Sequence, residues 1–297
     1  MKIAITGGSG FIGSRLIHHF QDQKYEIINI SRTPKTTAHG IRTITWEQLQ
    51  ANVSDLEGVA AIVNLAGESI NQRWTPKAKE RILQSREKAA SQVAQLVARL
   101  ELKPKVVINA SGMSIYGTSE TLTFDERSPH REVDFLSGVT QQWERAADFI
   151  QGTRLVKIRV GLVLDVKEGA FPKMALPYKL GVGGPIGSGK QWLSWIHIDD
   201  MVRLIDFCIQ QEDICGPVNA TAPNPVTNRE FGKVLAATMH RPNLFPLPAF
   251  LMKLILGELS VLLLEGQKVL PWVLQEHGFV FKYLTVDKAL ASIVAKH

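Results

Sequence analysis

The sequence predicts an α/β fold, a doubly wound parallel sheet with a smaller C-terminal α+β lobe. Short apolar runs alternate with helical periods through the first 165 residues, as βαβ units require. A glycine-rich turn joins the first run directly to the first helix, and a second glycine-rich stretch, at 181–189, does not open into a helix. The chain divides on this reading into a nucleotide-binding sheet domain at 1–165 and a substrate lobe with a helical tail at 166–297, with 190–225 able to return to the sheet.

Lys2-Ile3-Ala4-Ile5 reads as the first strand, and Thr6-Gly7-Gly8-Ser9-Gly10-Phe11-Ile12-Gly13 follows at once. A strand that turns sharply into a helix presents unpaired N–H groups and a positive dipole end, which suit a pyrophosphate. Gly7 suits the tight turn, Gly10 lets phosphate approach bare backbone, and Gly13 lets the helix pack on the strand. Residues 11–23 then read as a helix with Phe11, Leu16, Ile17 and Phe20 on its apolar side.

The second strand, 25–30, ends in Ser31-Arg32, where an NAD-binding fold carries an acidic residue about 20 residues past the glycines. A carboxylate there would repel a 2′-phosphate, whereas a guanidinium pairs with it, so NADP(H) is favoured over NAD(H). An ordinary solvated arginine is the competing reading of Arg32. Further strands are expected at 41–46, 60–65, 105–109 and 155–160, with a long helix from Lys77 to Leu100. Ligands in such sheets bind beyond the carboxyl ends of the strands. That rule selects Gly7 to Ile12, Arg32, Leu65-Ala66-Gly67, Ser111, and Val160-Gly161.

Composition narrows the class. With 297 residues and 45% hydrophobic content the chain can bury a large core. Cys208 and Cys215 fit no metal spacing or disulfide framework, which points to a reducing compartment and inert thiols. The first strand begins at the N-terminus with no leader before it, so a cytoplasmic location is expected. Net charge is +6, but the basic residues are spread along the chain, which argues for an anionic cofactor or substrate and not nucleic acid. The longest apolar stretch, Ala249 to Leu264, contains Lys253, Gly257 and Glu258 and is too short to span a bilayer. It reads as a packed amphipathic helix, and no membrane partner is expected.

Thr6-Gly7 to Gly13, Asn64-Leu65-Ala66-Gly67 and Ala110-Ser111 together resemble the extended short-chain dehydrogenase/reductase superfamily. More narrowly, the chain is similar to its atypical SDR39U1-like epimerase-family branch of predicted NADP-dependent nucleotide-sugar-epimerase-like proteins. Ser85-Arg86, Ile115-Tyr116-Gly117, Trp143-Glu144, Gly183 to Gly189, Trp195 to Asp200, Asn219 to Pro225 and the segment Gly257 to Phe279 carry that likeness. It extends over the whole chain and implies a Rossmann-type site. Leu65 and Ala66 would lie along the middle of the cofactor, Arg86 would reach toward phosphate or the nicotinamide ribose, and Val160 would flank the nicotinamide. Leu65, Ala66 and Val160 would be apolar in any buried sheet.

The chain departs from that superfamily at the catalytic pair. Its hydride-transferring members use Tyr-x-x-x-Lys on one helix, and no such motif occurs here. Phe135 or Leu136 takes the tyrosine place and Val139 or Thr140 the lysine place, none of which relays a proton as that pair does. Ser111 occupies the catalytic serine position, and Tyr116 in the same loop is the candidate replacement acid. Tyr116 before a glycine fits a turn anchor too, and Ser111 a backbone partner. Glu68 is another ionisable group at a strand end, or an orienter of Arg86.

In the second lobe, Gly181 to Gly189 with Lys190 reads as a substrate-facing loop. Trp195 and His197 share one face of a strand, with Asp199 or Asp200 as N-cap of a helix over 201–210 and a partner for the imidazole; a structural His197 is favoured. Asn219 and Arg229 are candidates for holding the lobe to the sheet. Two functions fit: an NADP(H)-dependent oxidoreductase or epimerase acting on a small anionic or sugar-like molecule, or a catalytically silent NADP(H)-binding regulator.

Overall fold

In the computed structural model, which describes residues 1–34 and 41–295, the chain opens on strand β1 (Lys2–Thr6), whose Ile3, Ala4 and Ile5 are fully buried. The turn that follows leads into α1 (Phe11–Asp22), which sets Gly13, Leu16, Ile17 and Phe20 against the sheet. Next come β2 (Glu26–Ser31) and β3 (Arg42–Thr45). Trp46 starts helix α2 (Trp46–Ala51) instead of ending the strand, because Thr45 and Gln48 form a capping box there. After β4 (Ala61–Asn64), α3 (Pro76–Arg99) starts with Thr75 as N-cap and proline at its first position. β5 (Val106–Gly112), β6 (Thr123–Phe124), α4 (Phe135–Ala147), β7 (Arg154–Val160) and β8 (Leu162–Leu164) complete the first part.

The second part runs through α5 (Phe171–Lys179), β9 (Trp192–Leu193), β10 (Trp195–His197), α6 (Ile198–Gln210), β11 (Gly216–Ala220), β12 (Val226–Thr227) and α7 (Asn228–Thr238). The tail carries α8 (Ala249–Leu256), α9 (Val261–Leu264), β13 (Lys268–Val269), α10 (Trp272–Glu276) and α11 (Val286–Val294).

Seven strands form one parallel sheet in the order β11-β7-β5-β4-β1-β2-β3. The order reverses between β1 and β4, the switch point where such sheets open a crevice. Thr6, Asn64 and Asn109 sit in register at that end. The Thr6 hydroxyl donates to Asn64 Oδ1 (2.5 Å), and Asn64 Nδ2 donates to Asn109 Oδ1 (2.6 Å), so buried side chains pin the strand ends beneath the crevice.

Segments beyond residue 165 complete this core, the 190–225 stretch among them. β11 closes the sheet edge, and Phe279 and Phe281 pack in the same cluster as Ile3, Val63 and residues of α6. The second lobe has its own cluster around Tyr178, Trp195, Phe231 and Leu290. Two expected elements also differ. Ala249 to Leu264 is not one packed helix: Gly257 has φ +58°, a short 3₁₀ turn covers Gly257–Ser260, and Phe250 and Leu254 are 71% and 78% exposed. The helix expected at 201–210 begins at Ile198 and is capped by His197, whose Nδ1 accepts from Asp199 N–H (3.0 Å); Asp199 and Asp200 lie in its first turn.

Candidate functional site

The turn after β1 and the chain after β4 meet at the switch point. Gly7 has φ +74°, and a Cβ there would stand 2.8 Å from the Leu65 carbonyl. Only glycine allows that approach. No side chain caps α1, whose N-cap is Gly10, and no acidic residue lies in its first turn. A Cβ on Gly10 would meet only the Gly7 carbonyl, at 3.3 Å, so this side of the turn is open. Bare N–H groups at a helix start, with space before them, fit a dinucleotide pyrophosphate. Ser9 is exposed, while Phe11 packs against Gly169 and Ile12 against the core, leaving their backbones to face the opening.

Ser31 accepts from Thr33 N–H (3.3 Å) and shapes the turn after β2. Arg32 next to it is exposed, and the residues from Ser31 to Pro34 include no carboxylate. Thr6 and Ile30 are register partners, so Arg32 lies beside the glycine turn at the same sheet end.

Arg86 leans from α3 onto the loop after β4. Its Nη1 donates to the carbonyls of Glu68 and Ile82 (2.9 Å each), a Cβ on Gly67 would lie 3.3 Å from its Cζ, and the guanidinium lies 5.0 Å from the Trp143 ring. Burial lowers its pKa to about 10, partly offset by Glu68, so it is cationic at neutral pH. Ser85 Oγ accepts from Glu68 N–H (2.9 Å), and the Ser85-Arg86 pair thereby staples this loop to α3. Arg81, not Arg86, is the ion-pair neighbour of the Glu68 carboxylate, at 3.7 Å. Val160 is half-buried at the end of β7 against the core.

The two hydroxyls proposed for proton transfer face inward. Ser111 is 3% exposed and donates to Glu144 Oε1 (2.7 Å). Tyr116 has no exposed surface; its hydroxyl donates to Asn219 Oδ1 (2.8 Å) and accepts from Arg159 Nη1 (2.7 Å). Burial pushes the phenol up to about 12 against the lowering effect of Arg159. The phenol is thus enclosed in this structure, with its hydroxyl held between Asn219 and Arg159.

Arg159 and Glu144 were not singled out for a role by the sequence. Arg159 donates from Nε to Glu144 Oε1 (2.8 Å) and from Nη2 to Oε2 (3.0 Å), with both side chains 2% exposed. Burial opposes ionisation of Glu144, but the hydrogen bonds and charge of Arg159 outweigh it and hold the carboxyl below its usual pKa. In the sequence Arg159 simply alternates with Lys157 along β7, and no local pattern marks it as buried. A second buried carboxylate, Glu126, accepts from the N–H groups of Asn219 (2.9 Å), Trp272 (3.1 Å) and Val273 (3.3 Å) and ties β11 to α10. Asn219 Nδ2 adds a bond to the Leu270 carbonyl (2.9 Å), so it does fasten the tail to the sheet.

On α4, where the Tyr-Lys pair is missing, Leu136 and Val139 pack with Trp74 and Ile82, and Leu259 and Val261 of the tail lie over them. Glu258 pairs with Lys79 of α3 (2.5 Å). The tail thus forms a strap across that helix, and apolar residues there are its seat. Thr140 donates to the Leu136 carbonyl (2.7 Å) and lies 2.8 Å from Ser114 Oγ, a half-buried hydroxyl next to Gly112.

In the second lobe, the end of the 181–189 loop borders a recess of about 420 Å³ lined by Lys190, Trp192, Thr227 and Arg229, among others. Arg229 donates to the Ser188 carbonyl (3.0 Å). Trp195 and His197 are wholly buried, the imidazole tilted by 33° against the Tyr283 ring with centroids 3.9 Å apart, which places both in the core of the lobe. Among the described residues no group of three or more His, Cys, Asp or Glu could hold a metal ion, and no helix is long and apolar enough to cross a membrane.

The model of the NAD dependent epimerase/dehydratase family matches residues 3–139, and that of a domain of unknown function matches 247–293, the strap and tail. Epimerase family protein YfhF of Bacillus subtilis is 41% identical over 299 residues, covering 99% of this chain and 98% of its own. The chloroplastic SDR39U1 homolog of Arabidopsis thaliana is 39% identical over 305 residues, 99% of this chain and 87% of its own. Among solved structures, human epimerase family protein SDR39U1 with NADPH superimposes with a TM-score of 0.93 at 35% identity over the full length of both chains. A nucleoside-diphosphate sugar epimerase from Corynebacterium glutamicum gives 0.80 at 30% identity, covering 100% of this chain and 59% of its own.

Proposed function

Because the chain belongs to the SDR39U1-type epimerase family, whose members share its NAD(P)-binding fold, we propose that it is an NADP(H)-dependent oxidoreductase or epimerase-like enzyme acting on a small anionic or sugar-like molecule. One observation carries the cofactor assignment: an uncapped α1 N-terminus opens beside the exposed Arg32, with no carboxylate at the end of β2. The backbones of Gly7, Ser9, Gly10, Phe11 and Ile12 would hold the pyrophosphate, and Ser31 and Arg32 the 2′-phosphate. Leu65, Ala66 and Gly67 would bear on the middle of the dinucleotide, with Arg86 and Val160 toward its nicotinamide end. Bound there, the nicotinamide supplies or accepts hydride. The human neighbour solved with NADPH supports this preference.

Calorimetric titration of the wild type and Arg32→Ala with NADPH and NADH tests it. A charge-assisted contact worth roughly 1.5–3 kcal/mol makes NADPH about ten- to a hundredfold tighter in the wild type, and Arg32→Ala removes the difference. Equal wild-type affinity for the two cofactors overturns the assignment.

A second reading, an NADP(H)-binding regulator without turnover, is favoured by the enclosure of Tyr116 and by the apolar seat of the strap on α4. Ser111, near the carboxyl end of β5, is retained in the enzyme proposal, acting with its Glu144 partner. Incubating protein and NADPH with a panel of carbonyl compounds and nucleotide sugars separates the readings. Turnover lost in Ser111→Ala supports the enzyme; tight NADPH binding with no turnover of any panel member supports the regulator.

A further inference from the structure

Sixteen large hydrophobic side chains are exposed among the described residues, and eight of them fall in three short segments at 176–182, 244–245 and 250–255. These segments are neighbours. Phe245 N–H donates to the Gly183 carbonyl (3.2 Å), Leu247 N–H to that of Pro185 (2.9 Å), and Gly187 N–H to that of Leu247 (2.8 Å), so the two chains run side by side into α8. On α8 only Met252 is buried, while Phe250, Leu254 and Ile255 are 71%, 78% and 64% exposed. A helix apolar at every position but one lysine is ordinarily covered.

The charge around this face identifies the cover. Residues 174–189 and 240–257 contain no Asp or Glu, and Lys179, Arg241 and Lys253 in them are all exposed. A second copy docking by a twofold contact would bring these cations against their own equivalents. Anionic lipid accepts both features: apolar side chains enter the acyl boundary to roughly 5–10 Å while lysines between them extend to the phosphates. We propose that α8, with the flanking 176–182 and 244–245 segments, docks the protein on an anionic membrane surface. The expectation of no membrane partner came from the absence of a spanning segment, and a helix lying in the interface needs none.

Flotation with vesicles of phosphatidylcholine alone, or containing about 30% phosphatidylglycerol, tests the proposal. The wild type is expected to bind the anionic vesicles at least about tenfold tighter, with affinity falling as salt rises. Phe250→Asp with Leu254→Asp abolishes binding, and Lys253→Glu with Arg241→Glu weakens it about tenfold or more. All four positions are exposed, and unchanged NADPH titration certifies that each variant is folded. Absence of wild-type binding to the anionic vesicles, or binding unaffected by the Asp variants, overturns the proposal. So does light scattering that finds a wild-type dimer and a Leu254→Asp monomer with no vesicle binding, since a second copy would then be the cover.

Discussion

A methyl group added at Gly13 collides with the Gly7 carbonyl, whereas one at Gly10 touches that atom only at 3.3 Å. Gly13→Ala is therefore expected to lower stability by about 1–3 kcal/mol, read by chemical denaturation, because backbone must shift. Gly10→Val should melt near the wild type yet fail to bind NADPH in calorimetry, since its side chain occupies the open side of the turn. Tyr116→Phe leaves Arg159 and Asn219 each short of a buried partner, and a loss of about 1–3 kcal/mol with unchanged NADPH affinity is the outcome to check. Glu144→Gln strands the buried charge of Arg159 and should cost about 3 kcal/mol at pH 7. The folded pKa of Glu144 lies below its unfolded value of 4.5, so its contribution is full above that value and fades as pH falls through the lowered one. Urea midpoints of wild type and variant should converge in acid. The sequence placed Ser111 and Tyr116 at the right strand end but not the direction of their side chains. Arg159 and Asn219, 43 and 103 positions after Tyr116, decide that, and no local pattern contains them.

Helix α3 was legible to within a residue or so at each end, because Thr75-Pro76 is a strong start and its buried positions recur at helical spacing. Asp134 opens α4 in a capping box with Ser137, and Asp134→Ala should cost about 1 kcal/mol in thermal or chemical melts. The start of α6 was misplaced because its cap is an imidazole, a residue outside the usual capping set. The stretch from Ala249 to Leu264 misled for another reason. Apolar content signals that a helix needs a cover without saying which surface supplies it, and Gly257 converts one expected helix into α8, a turn and the strap.

At the scale of the molecule, alternating strands and helices made the doubly wound sheet legible, since each unit announces itself locally. The return of the tail was not, because it depends on long-range packing. Strand β11 lies in the 190–225 stretch that the sequence lets rejoin the sheet, but the aromatic pair Phe279 and Phe281 also packs into the first core, and Glu126 reaches across to Trp272 and Val273. A fragment of residues 1–165 is accordingly expected to show no cooperative melt by circular dichroism and no NADPH binding. The same connections bear on how the protein is made. Synthesis delivers the glycine turn long before β11 and residues 268–281, so the sheet core stays open at one edge and on one face until those segments leave the ribosome. Until then the emerging chain must be shielded, and a message cut short before those segments yields a chain with an exposed core, not a smaller nucleotide-binding protein.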